Sequence, residues 1–207
     1  MVLIRAGPQT ANHNERPPEE AGGVVANVAE IEDGGEEMDV NASKEIVHVP
    51  PGEGRRSVWV FGELVTFKVT GDETSGAYSL FEICTPPSSG PPPHVQHRED
   101  EVVYVLEGEY EFLAEDRVSR AQAGTLVYVP RGCLHAHTNA GVKPGALLVC
   151  LTPGGSHERY FEEVGKRATP PEPPVPSPDL GRIAEIAARY GIEIPLPEAK
   201  PGEKEPV

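Results

Sequence analysis

The chain has 207 residues, room for one domain with some surplus, and its 22 glycines and 23 prolines are about twice the usual share. That composition excludes a helical bundle and points to tight turns with irregular ends. A formal charge of −15 would repel nucleic acid and anionic membrane surfaces, so neither is an expected partner.

Residues 1–45 carry ten acids against Arg5, Arg16 and Lys44. Val24, Val25, Val28 and Ile31 stand between two glycine pairs and are too few to offset the entropy of ordering the segment. A disordered acidic leader is expected there. From 46 to 152 the texture changes to short β-type runs at 57–60, 63–70, 77–85, 101–106, 110–114, 125–129, 135–139 and 146–152, parted by turn signals at 71–76, 107–108 and 141–145. Runs at that spacing predict an all-β antiparallel sandwich or barrel over 46–152. A C-terminal extension over 153–194 follows. It starts with a short helix over 156–164, capped by Ser156 and stopped by Gly165. A polyproline-like spacer over 170–178 leads to a second helix, with Asp179 as N-cap and Leu180, Ile183, Ala184, Ile186, Ala187 and Tyr190 at helical spacing before Gly191. That helix is too short to stand alone and is expected to dock on the barrel or on a second subunit. Residues 195–207 form a tail.

The longest apolar run, 146–151, falls well short of the about 20 residues a membrane-spanning helix needs. The first thirty residues hold Pro8, Pro17, Pro18, Glu19 and Glu20 without an apolar centre, so no secretory signal is expected. Cys84, Cys133 and Cys150 cannot all pair and have no C-x-x-C spacing, which speaks against a disulfide framework and for a reducing cytoplasm. Cys133 stands near His135, but a small free core thiol is a commoner role than a nucleophile.

Two clusters of metal-ligand residue types sit at the ends of predicted strands. The first holds His94, Gln96, His97 and Glu101; the second holds His135 and His137. Residues two apart on a strand share a face, so His94 pairs with Gln96, Glu101 with Val103 and Val105, and His135 with His137. On neighbouring strands of a barrel, imidazoles and a carboxylate would converge on one interior point. Such a set leaves open positions on a divalent first-row metal.

These clusters resemble the paired motifs of the cupins. The second motif, G-x5-P-x-G-x2-H-x3-N, is matched by Gly124, Pro130, Gly132, His135 and Asn139. The first is matched at His94, Glu101 and Gly108. It departs at Gly90, which lies too close to His94, and at Gln96, which stands where a second histidine belongs. The stretch from Gly76 to Gly108, with the C-terminal segments 158–163 and 189–192, looks most like the flavonol (quercetin) 2,3-dioxygenase-like cupins, and the resemblance as a whole covers about 46–194 and is specific for fold. The resemblance implies a double-stranded β-helix, or jelly-roll barrel, with short C-terminal helices. It also implies His94, Glu101 and His135 as ligands to Fe, Mn, Ni, Co, Cu or Zn, with Gln96 in the fourth position. Glu101 would double as base toward a substrate hydroxyl. His137 and His97 are alternative ligands, although strand alternation turns His97 away. Gly108, Gly124, Pro130 and Gly132 are expected to be turn residues.

The implied activity is an oxygen-dependent dioxygenase acting on a small enolic or phenolic, flavonol-like substrate. A small-molecule-binding cupin with a degraded metal site and a metal-dependent isomerase or cyclase remain open beside it. Val102, Tyr104 and Leu106 face away from Glu101 and are apolar as well, so the outer face of that strand is expected to be covered. A second subunit, giving a homodimer, or another segment of the chain could cover it.

Overall fold

The computed structural model describes residues 46–168 and 179–196. The expected leader over 1–45, the spacer over 170–178 and nearly all of the tail lie outside the described residues. Twelve strands and two helices are found among those residues. They are β1 (Ser57–Val60), β2 (Glu63–Val69), β3 (Ser79–Thr85), β4 (His94–Gln96), β5 (Asp100–Glu107), β6 (Glu109–Ala114), β7 (Arg117–Gln122), β8 (Leu126–Val129), β9 (Leu134–Asn139), β10 (Gly145–Thr152), α1 (Ser156–Val164), β11 (Lys166–Arg167), α2 (Leu180–Arg189) and β12 (Ile192–Glu193).

The strands form two antiparallel sheets, one ordered β11-β1-β2-β3-β10-β5-β8 and the other β12-β4-β9-β6-β7. The fold is mostly β, as the alternating runs predict. Four short elements differ from the sequence reading. β7 has the pattern Arg-Val-Ser-Arg-Ala-Gln with Ala121 alone buried, because it is a sheet edge with little to bury. β4, β11 and β12 are two or three residues long, below the length at which alternation can be read.

Alternate residues of the long strands fill the space between the sheets: Val65 and Phe67, Phe81 and Ile83, Val103 and Val105, Leu147 and Val149. Each such side chain contributes about 1.5–3 kcal/mol on burial. Phe67 and Phe81 meet edge to face with ring centres 5.1 Å apart, and Phe161 of α1 stacks on Phe81 at 5.4 Å. Thus α1 is pinned over the barrel by the core itself.

Gly155, not Ser156, is the N-cap of α1, and Ser156 begins the helix without a side-chain capping bond. Its hydroxyl reaches instead toward the Tyr190 carbonyl at 3.4 Å. Asp179 caps α2 as its residue type predicts, accepting from the Arg182 N–H at 3.1 Å. The apolar stripe of α2 docks within the chain: Ile186 and Ala187 pack with Tyr160 of α1 and with Ile192 and Ile194. β12 then pairs with β4, Ile192 opposite Gln96. The outer face of β5 is not covered by any described residue. Tyr104 and Leu106 are 40% and 43% exposed, beside Leu126 and Tyr128 on the edge strand β8. No helix among the described residues is long and apolar enough to cross a membrane.

Candidate metal centre

Three strands deliver the polar residues of the interior. β4 and β9 are neighbours, and His94 lies directly opposite His135 in their register. Their rings sit 4.3 Å apart at a 49° tilt. Glu101 arrives from β5 in the other sheet, where Leu151 and Val129 flank it. The turn before β9 is fixed by Gly132, whose φ of +84° suits glycine and whose N–H donates to the Gln96 carbonyl at 2.8 Å. The second-motif glycine therefore ties the loop carrying His135 to the strand carrying His94. Gly90 has a different task. A Cβ there would lie 2.0 Å from the His137 carbonyl oxygen, so this position lets a loop pass close to β9.

One nitrogen and oxygen set converges. The ligand-type atoms of His94, Glu101 and His135 all lie within 4.8 Å of one another. His94 Nδ1 is 3.0 Å from the Pro92 carbonyl and His135 Nδ1 is 3.0 Å from the Cys133 carbonyl. A carbonyl only accepts, so each Nδ1 carries a hydrogen and each Nε2 faces inward, where it offers a lone pair once it is free of a proton. Histidine ligands to metals are oriented by bonds of this kind. His135 Nε2 is buried with no hydrogen-bond partner and stands 3.5 Å from Glu101 Oε2. An unsatisfied buried nitrogen is costly unless something fills the space before it. The donor set of two imidazoles and a carboxylate fits a divalent first-row metal with open positions.

Electrostatics agree with that fit. Burial and the neighbouring His135 push His94 down to about 3, so its ring is neutral at ordinary pH. Burial alone would raise Glu101, but the His135 ring 3.5 Å away, with His94 and His157 beyond it, holds it down at about 2. Burial opposes protonation of His135, and the Glu101 carboxylate outweighs it, so His135 lies above the usual histidine value.

Gln96 is buried and donates its side-chain amide to Glu101 Oε2, while its own Oε1 has no partner. It thus touches the ligand carboxylate directly. His97 does not join the set: it is half exposed and meets Glu193 of β12 at 3.0 Å, as alternation predicts. His137 is buried but turned to Glu63, with Nε2 2.9 Å from Glu63 Oε1. Burial pulls His137 down and Glu63 more than compensates, so its proton is held above the ordinary value. Cys133 is not among the residues lining the cavity, and burial and the adjacent Glu115 push its thiol up. Cys84 is exposed rather than in the core.

The cavity beside the trio opens to solvent and spans about 570 Å³ with the open space at its mouth included. Its walls are Val60, Val65, Ile83, Val149, Leu151 and their apolar neighbours, and no lysine or arginine is among the described residues lining it. Two lining residues escaped the sequence reading. Glu63 sits on the core face of β2 with Val65 and Phe67, and a carboxylate in that alternation was the signal for it. His157 comes from the first turn of α1, is buried, leaves Nδ1 unpartnered, and is pushed down to about 4 by burial.

Residues 81–158 match the family model described as Cupin domain. No curated protein matches the chain. Solved structures similar to it include KdgF from a Halomonas species, at 15% identity over 47% of this chain and 84% of that one, TM-score 0.43. A predicted oxalate decarboxylase from Thermotoga maritima matches at 19% identity over 53% of this chain and 99% of that one, TM-score 0.46. A sugar phosphate isomerase from Silicibacter pomeroyi matches at 21% identity over 44% and 59%, TM-score 0.40. The stretch that matches the Cupin domain model contains His94, Gln96, Glu101 and His135.

Proposed function

We propose that this protein is a mononuclear-metal cupin enzyme, an oxygen-dependent dioxygenase acting on a small enolic or phenolic substrate. The observation that carries the reading is the polarity of the cavity. Ligand-type atoms of His94, Glu101 and His135 gather at one end, and the rest of the lining is mostly apolar, with Glu63, His137 and His157 among its other polar groups and no lysine or arginine among the described lining residues. A phosphorylated sugar or a dicarboxylate would need lysine or arginine partners for its charges. An apolar body with one ionisable oxygen needs none.

A bound divalent metal would supply Lewis acidity and open positions for substrate and oxygen. The chain's own residues do the rest. His94, Glu101 and His135 hold the metal, with Gln96 on the carboxylate. Glu101 stays ionised across the working pH range and is placed to accept the proton of the substrate hydroxyl. Val149, Leu151 and Phe161 give the substrate a dry wall and keep water from the reacting atoms. The uncovered face around Tyr104 and Tyr128 pairs with a second copy, making the working unit a homodimer. Three free cysteines fit a reducing cytoplasm.

Oxygen consumption by protein reconstituted with each candidate metal, against a panel of flavonols and β-diketones, tests the proposal. Uptake that requires both metal and substrate supports it. Turnover of such a substrate under anaerobic conditions would replace it with an isomerase or cyclase, and substrate binding by metal-free protein without turnover would make it a binding module.

A further inference from the structure

The cavity contains a second polar cluster that the metal trio leaves unused. His137 follows His135 by two residues on β9, which places it on the same face about 7 Å further along the strand. Glu63 Oε1 is 2.9 Å from His137 Nε2 and accepts from the Thr85 hydroxyl at 2.7 Å. Glu63, His137 and Thr85 are all buried, and Glu63 and His137 line the cavity among Val65, Ile83 and Val149. Holding a carboxylate and an imidazole in such a wall is not the economical way to stabilise a barrel. Apolar residues of similar volume commonly do as well or better than a buried ion pair.

The chemistry of the pair matches one kind of partner. A carboxylate keeps acceptor sites after two hydrogen bonds, and a hydroxyl both donates and accepts. A second anion would be repelled by Glu63. An apolar group placed there would cover the pair without offering Glu63 the further hydrogen bond its carboxylate can accept, and a hydroxyl would offer it.

We propose that Glu63 and His137 form a second recognition point for the substrate, binding a neutral hydroxyl carried about one ring's width from the oxygen held at the trio. The inference rests on the reading of the cavity as a metal-dependent enol or phenol site, and it narrows that class to substrates with a second, uncharged hydroxyl on the far side.

Kojic acid and allomaltol test it, because they are the same enolic pyrone and differ in one distal hydroxyl. Each is titrated by calorimetry into the full-length, zinc-loaded protein. Kojic acid should bind about tenfold more tightly than allomaltol, the scale of one satisfied buried hydrogen bond. In Glu63→Gln that preference should fall below about threefold, and His137→Gln serves as a second variant should the first fail to fold. Equal affinity for the two pyrones in the wild-type protein overturns the second recognition point while leaving the enol site standing. A preference that survives in a folded variant also overturns it. If neither pyrone binds the zinc-loaded protein, the enol reading fails and this inference fails with it.

Discussion

The side-chain amide of Gln96 donates to Glu101 Oε2, so the residue standing in place of a motif histidine grips the carboxylate of the ligand trio. That contact gives Gln96 a task whether or not its own oxygen meets a metal. Gln96→Leu keeps the volume and removes the grip. Metal affinity should fall about 10–100-fold, the usual effect of losing a group that orients a ligand. Gln96→His should act oppositely for nickel and copper, since imidazole suits late first-row metals better than an amide oxygen. Competition against a chromophoric chelator reads both.

Metal uptake should release about one proton once the pH lies below the His135 value. His94 and Glu101, pushed down to about 3 and about 2, are already free of protons there. His135 is held above the ordinary histidine value by Glu101, so it is the ligand that must give up a proton. Apparent affinity should therefore decline about tenfold per pH unit once pH falls below the His135 value. Calorimetry in buffers of different ionisation enthalpy measures the proton count, and a count of zero or two would contradict this assignment.

Glu99 supplies a stability test away from the metal. It is 1% exposed, with the Ser156 hydroxyl as the side chain beside its carboxylate and Arg98 and Arg131 as the nearest positive charges. Burial raises its pKa. An acid whose folded value is raised binds its proton more tightly when folded, so it weakens the fold as pH rises above the unfolded value of about 4.3. The penalty reaches its full size above the folded value. Glu99→Gln should add about 1–3 kcal/mol at pH 8 and almost nothing at pH 4, read from urea midpoints at the two pH values.

The apolar outer face predicts an assembly. Tyr128 and Leu126 are 58% and 61% exposed on edge strand β8, beside Tyr104 and Leu106. Sedimentation equilibrium should give a wild-type mass twice the 22.2 kDa of the chain. Tyr128→Glu should shift it to the monomer without unfolding, because more than half of the side chain is exposed in the single chain.

What was legible in the sequence follows from period and spacing. His94, Glu101 and His135 lie on faces fixed by strand alternation, and the turn glycine that positions His135 is visible as a motif. Alternation also set His97 apart from the trio. The second polar cluster was harder. Glu63 falls in phase with Val65 and Phe67, a signal present but easily taken for a strand end. His157 had no local signal, because it reaches the cavity only when Phe161 draws α1 onto the core. The docking of α2 depended on Ile192 and Ile194, which act through a two-residue pairing with β4 too short to be seen as a strand.

Metal content of the purified and reconstituted protein bears most directly on the central claim that His94, Glu101 and His135 form one metal site. Mass spectrometry of protein dialysed against each divalent metal should find about one tight equivalent in the wild type and in His97→Ala. His135→Ala should lose nearly all of it. A wild-type protein that retains no metal, or a His135→Ala variant that still holds a full equivalent, would contradict the account.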